Sequence, residues 1–371
     1  MLKTLLLCIN YAMKINKNAI SVIMLLLLAL LIKAFSINQL VVEHIYSNGV
    51  FVAISSFLIA LFGWCKVSIG DVLYGIAFLW LLIKAIKNIS LVFSKALNKQ
   101  QYINKALKLI RYCLWLYIIF NIFWGINYNR IGVAKQLQLS ITPYTTIDLI
   151  QIDSLLIQKV NATKNTQQQQ GIISFSQNEI FLKTKQAYTT AGAKYPFLPI
   201  QNQSLKSSLW GWLGNYTGFL GYYNPLTAEA QVNTTVPLFI QPFVCCHEVA
   251  HQMGYAKENE ANFVGYLAAS ASADTFFHYS VYLDLFMYAH RALYLQDSAL
   301  AKKAIAKLLP AVKADIQQWN TFNKKHQNPI EPIIRWLYGK YLLSNQQPAG
   351  IMSYDEVTGF LICYYKKYGK I

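Results

Sequence analysis

His247, Glu248 and His251 form an HExxH segment inside the stretch Pro242-Phe-Val-Cys-Cys-His-Glu-Val-Ala-His-Gln-Met-Gly254. On a helix, a four-residue step brings two imidazoles to one face, as a tetrahedral zinc site requires. The intervening Glu248 lies close enough to that face to take a proton from water at such a metal. Pro242 suits a first helical turn, where its missing N–H costs nothing, and Gly254 suits the point where a helix reverses. A helix from about Pro242 to Met253 is therefore expected. The same letters can also lie on an amphipathic surface helix with no metal. Here the apolar approach through Leu238, Phe239, Ile240, Phe243 and Val244 would bury the helix start.

A site of this kind needs a third protein ligand. In the metzincin spacing HExxHxxGxxH that ligand would be a histidine at position 257, where this chain has Lys257, so a strict metzincin is excluded. Glu258 and Glu260 follow. Glu258-x-x-Ala261-Asn262 resembles the E-x-x-A-D/N segment of glutamate-liganded zincins, in which the first glutamate binds metal and the last residue orients a ligand histidine. Glu258 and Asn262 share a helical face, whereas Glu260 points roughly 200° away from Glu258. Glu258 is the favoured ligand and Glu260 the runner-up, each having a plain alternative as a solvated helix-start carboxylate.

The elements that must position this site come in two regions. Of 371 residues 55% are hydrophobic and only 13% charged, and the apolar excess falls before residue 128. Three transmembrane helices are expected at about 19–37, 71–87 and 112–127, the third rich in Trp115, Tyr117 and Trp124. Gly49–Trp64 is apolar but short, and is read as interfacial or re-entrant. Lys3, Lys14 and Lys17 precede the first span; Lys87, Lys95, Lys99, Lys105, Lys108 and Arg111 separate the second from the third. Cationic loops stay cytoplasmic, so an even number of spans must separate the clusters, and three spans place the C-terminal region on the non-cytoplasmic side. No cleavage site follows Leu31 cleanly, which argues against a removed signal peptide.

The net charge of +17 suits a lysine-rich loop near anionic lipid. No nucleic-acid motif accompanies it, because the basic residues are not interleaved with aromatics on one face. Cys8, Cys65 and Cys113 fall in or near apolar segments, and Cys245, Cys246 and Cys363 make no disulfide framework. Cys246 adjoins the first histidine but points about 100° from it, which favours packing over ligation.

Residues 129–371 should carry the site. Helices are expected over Arg130–Ser140, Ile147–Val160 and Glu179–Ala191, with Asn161–Gln170 a polar mobile connector. From Tyr195-Pro-Phe-Leu-Pro-Ile through Trp210, Gly214 and Tyr223, the punctuation suits turns and short strands. Ala228–Val236 is the best strand, expected as an edge on which a peptide lies, making Glu229 and Asn233 candidate substrate contacts. Helices then run over Asn262–Ala273, Phe276–Gln296, Ser298–Leu309, Pro310–His326, Pro332–Leu343 and Ser353–Lys367. On the second of these, Tyr288, His290 and Arg291 are candidate oxyanion stabilisers, with core packing the plainer role for His290.

Three segments together carry a resemblance: Trp124-Gly-Ile-Asn-Tyr-Asn-Arg130, Gly221-Tyr-Tyr-Asn-Pro-Leu-Thr-Ala-Glu-Ala-Gln-Val-Asn233, and Cys246 through Phe263. They resemble an uncharacterised bacterial family of membrane proteins, a domain of unknown function with an HExxH site. The resemblance implies N-terminal transmembrane helices followed by a zincin-like domain, mainly α with a small sheet, and a zinc-dependent peptidase. The resulting expectation is a membrane-anchored metallopeptidase acting on a peptide or protein, with His247, His251 and Glu258 on Zn²⁺ and Glu248 as catalytic base. The competing expectation is an inactive zincin-like protein that serves as a binding or scaffold module.

Overall fold

Apolar runs that stay hydrophobic on every side cannot bury themselves against one core, and the N-terminal third of the chain is built from such runs. The computed structural model describes residues 17–94, 99–171, 175–198 and 202–371. Lys3, Cys8, Lys14, Lys95 and the Pro199-Ile200 end of the Tyr195 segment lie outside them. The first helices are α1 (Lys17–Phe35), α2 (Gln39–Phe62), α3 (Ile69–Ser94) and α4 (Lys99–Phe123). Leu79, Leu81 and Leu116 remain more than half exposed on them. Among the described residues three helices are long and apolar enough to cross a membrane: Gln39–Phe62, Ile69–Lys87 and Tyr102–Phe123, while Ala19–Phe35 is shorter.

This set differs from the expected one around α2. Gly49–Trp64 is not a separate segment, because the polar stretch before it is helical too, with a π-helical turn over Val42–Val50. Asn38 starts the helix by accepting from Leu40 N and Val41 N. Its buried polar residues, Glu43 and Ser47, face the rest of the chain. Glu43 forms a paired contact with Arg130 Nη2 (2.8 Å) and Nε (3.1 Å), and Ser47 Oγ donates to Asn127 Oδ1. At the far end of α2, Lys206 Nζ donates to the carbonyls of Phe62 and Gly63. Both ends of α2 therefore touch residues of the C-terminal region.

Beyond a 3₁₀ turn at Gly125–Asn129 come α5 (Val133–Gln136), α6 (Thr146–Gln169) and α7 (Gln177–Lys194). Next are β1 (Leu205–Ser207), α8 (Gly211–Thr217), β2 (Gly221–Asn224) and β3 (Glu229–Val232). The remainder is helical: α9 (Gln241–Gln252), α10 (Glu258–Ala271), α11 (Thr275–Gln296), α12 (Ser298–Ile305), α13 (Pro310–His326), α14 (Glu331–Ser344) and α15 (Val357–Tyr368). Among the described residues the fold is mainly helical with one three-stranded sheet.

Two helical expectations change. Only Val133–Gln136 of Arg130–Ser140 is α-helical. Asn161–Gln170 is no mobile connector, since α6 continues to Gln169. Its Gln, Lys and Ala residues are good helix formers, and Asn161 joins it to the chain after α12 by donating to Lys307 O and accepting from Leu309 N.

The sheet order is β1-β3-β2, with β1 parallel and β2 antiparallel to β3. The strand expected as an edge is thus the centre, and all of it is buried. Glu229 and Asn233 are therefore not on a substrate rim. Glu229 accepts from Ser68 Oγ and from the backbone N–H groups of Ile69 and Gly70, capping the start of α3 with negative charge. Asn233 bonds Asn215 and Thr235. Leu149, Ile152, Leu156 and Val160 of α6 bury a stripe against α11, forming the core on which α9 rests.

Removing one partner of a buried ion pair leaves the other charged in a dry site, at a cost of about 3–5 kcal/mol. Glu43→Ala is accordingly expected to melt well below the wild-type protein in detergent micelles. An unchanged melting temperature would show that this pair does not join α2 to the C-terminal region.

Candidate metal centre

Every residue of α9 is buried, which is unusual for a helix carrying two histidines and a glutamate. Pro242 opens it and Gly254, at φ +86°, reverses the chain after it, as the sequence indicated. The return leads directly into α10, whose first residue is Glu258. Gly265 lets the two helices lie close: a Cβ there would come within 3.1 Å of His247 N.

This packing brings three donors together. Glu258 Oε2 lies 3.2 Å from His247 Nε2 and 3.4 Å from His251 Nε2. The rings stand nearly perpendicular, with centroids 4.7 Å apart. A tetrahedral zinc with bonds of about 2.0–2.1 Å has donor–donor edges of about 3.3 Å, which both carboxylate–imidazole edges match, and all three donors lie within 4.8 Å of one another. The far side of each ring is already used. His251 Nδ1 donates to the Tyr255 carbonyl at 2.7 Å, and His247 Nδ1 sits 2.7 Å from Asn262 Oδ1. Nδ1 therefore holds the proton of the neutral ring in each case, and the Nε2 lone pairs face the carboxylate. Such a set is satisfied only by a cation.

Without a metal, a proton fills that role. Burial opposes charge on His251, but the Glu258 carboxylate outweighs it and pushes the imidazole up to about 9. Burial likewise works against the Glu258 charge, and the His251 imidazolium beside it outweighs that, holding the carboxyl well below the usual range. Glu258 is fixed from behind by Tyr338, whose hydroxyl donates to Oε1 at 2.7 Å, and by Gln347, whose Oε1 accepts from Glu258 N.

Glu248 sits beside this triad with its Oε2 buried and unpartnered. Burial pushes its acid up to about 7, against the pull of His247 and His251. Gly221 at the start of β2 makes room for it, since a Cβ there would come 2.5 Å from Glu248 Oε1. Glu260 takes no part: it points to the other side of α10, where its Oε1 lies against Gly132. Cys246 is buried in packing, its carbonyl accepting from Tyr188 at 2.6 Å.

His247 and Glu248 open onto a cleft of about 290 Å³. Tyr288 and Arg291 line it, but His290 does not; that ring turns to Asp153 at 3.1 Å and stacks on Phe286. Asn262 joins His247 to Tyr288, bonding both. Tyr338, Gln347 and Asp284 carry no signal near the motif and were not anticipated.

The chain belongs to the DUF3810 family. Its family profile, a protein of unknown function, matches residues 46–362. No curated protein and no solved structure matches it. The matched region takes in α9, the start of α10 and most of the apolar helices.

An incoming divalent ion must displace the proton on His251. Affinity is expected to rise about tenfold per pH unit up to about pH 9 and to level off above it. Calorimetry at about pH 7.5 in two buffers of different ionisation heat should show close to one proton released per zinc. No release would contradict the protonated His251–Glu258 pair.

Proposed function

We propose that this protein is a membrane-associated, zinc-dependent peptidase with a zincin-like arrangement of its site. The observation that carries the reading is the convergent three-donor set, with both carboxylate–imidazole edges at tetrahedral spacing and an unpartnered Glu248 Oε2 next to it on an open cleft. His247, His251 and Glu258 would hold the ion, leaving a fourth position for water or substrate. A bound zinc supplies Lewis acidity, which makes a polarised water acidic near neutral pH.

The chain's own groups do the rest. Glu248, buried and titrating near neutrality, accepts the proton from the attacking water and returns it to the leaving amine. Asn262 holds His247 in the tautomer that offers Nε2, and the Tyr255 carbonyl does the same for His251. Phe219, Leu220 and Gly221 line the cleft where the chain enters β2, an outer strand of the sheet. The extended peptide backbone lies along that side, a role the sequence pattern gave to β3.

Glu248→Gln preserves the size of the side chain but removes the base. The variant is expected to keep stoichiometric zinc and to lose about 10²–10⁴-fold in kcat on a peptide library. Undiminished turnover would exclude the role.

The same reading lets α1, α3 and α4 cross the bilayer, with α2 lying along the C-terminal region. Support comes from both ends of α2 touching that region, and from Lys87, Lys105, Lys108 and Arg111 clustering between the apolar parts of α3 and α4. The site then faces away from the cytoplasm. A reporter fused after Ile371 should be active on the non-cytoplasmic side, and a cytoplasmic signal would overturn the three-span arrangement.

A further inference from the structure

Asp284 of α11 lines the same cleft as His247 and Glu248, and no role described so far uses it. Its Oδ2 is buried without a hydrogen-bond partner, although the residue as a whole is partly exposed. Buried carboxylates are normally paired, because a lone one forfeits its solvation. The cations that line the cleft are committed elsewhere: Arg335 pairs with Glu331 at 2.8 Å and Arg291 with Asp355 at 3.7 Å. The two arginines of the lining are thus matched by Glu331 and Asp355, which leaves Asp284 with no arginine of its own in the cleft.

We infer that Asp284 forms a subsite for a cationic group of the peptide, either a lysine or arginine side chain or a free N-terminal ammonium. The inference rests on the peptidase reading for its substrate class, and it deepens that reading by naming what the cleft selects. Phe243 and Val244 also line the cleft, so the stem of a long cationic side chain can pack on carbon while its head meets the carboxylate. A hydrogen-bonded charge in such a place discriminates against an uncharged isostere by roughly 10- to 100-fold.

The test uses the full-length, zinc-loaded protein in detergent micelles. Capped peptides scanned with lysine or norleucine at each position separate the side-chain source. A matched pair with free or acetylated N-terminus separates the ammonium source. One of the two cationic series is expected to be cleaved at least ~10-fold faster in kcat/KM than its neutral counterpart. Asp284→Asn should reduce that ratio to about twofold or less with zinc retained, and Asp284→Glu should retain part of the preference. Cleavage without preference in the wild type overturns the subsite and leaves the peptidase standing, with no variant required. A preference that survives Asp284→Asn also overturns it. Peptide binding to Glu248→Gln, read by fluorescence anisotropy, covers the converse. If nothing is cleaved but cationic peptides bind tighter through Asp284, the subsite stands and the peptidase reading falls.

Discussion

Three electron-rich atoms held against one another in a dry interior define this molecule. Glu258 Oε2 and the Nε2 atoms of His247 and His251 would repel unless a cation lay among them. The surroundings do not relieve the conflict. Tyr338 takes the other carboxyl oxygen, while Asn262 and the Tyr255 carbonyl take the other ring nitrogens. Each supporting contact points the remaining lone pair at the same spot. A proton shared between His251 and Glu258 is the smallest cation that satisfies them, and a divalent ion satisfies all three at once.

Holding the atoms so close depends on missing side chains as much as on those present. Gly265 removes the Cβ that would meet the backbone of His247, and Gly221 removes the one that would meet Glu248. Gly254 provides the left-handed turn that sends the chain from α9 back toward Glu258. Its own surroundings are close, with Asn127 Oδ1 and Arg130 Nη1 near where a Cβ would stand. Arg130 donates to the Met253 carbonyl at the end of α9, and its guanidinium lies 4.2 Å from the Tyr255 ring centre. The Trp124–Arg130 and Gly221–Asn233 segments, far from the histidines in sequence, are thus parts of the frame around them.

What the sequence made legible was local. The histidine pair follows from helical period, and the choice of Glu258 over Glu260 follows from its phase with Asn262 on one helix. Tyr338 and Gln347 reach Glu258 from 80 and 89 residues away, across connections whose geometry no local pattern encodes. The strand order was hidden for a similar reason. β1 is only three residues long, yet its parallel pairing with β3 turns the expected edge into the centre and commits Glu229 to α3. Composition misled at the glutamines of 167–170, which looked like part of a low-complexity connector but close α6 as its last turn. The polar stretch before Gly49, given no element in the sequence, supplies the buried face of α2.

That face bears on how the apolar helices and the candidate metal centre relate. A boundary near residue 128 suits the change in composition, but the packing runs across it. Trp124 and Tyr128 share one cluster with Leu25, Val42 and Ile118 of the first helices and with Ala256 of the turn before α10. Trp124 Nε1 also approaches the carbonyl of His251 itself, at 3.4 Å. A chain beginning after residue 128 would leave Arg130 buried without Glu43, strip the indole from the end of α9, and uncover Ala256. Each loss falls within a few residues of His251 or Glu258. The apolar helices therefore do more than tether the site: the buried contacts of α2 and Trp124 form one wall of the housing that keeps its donors converged.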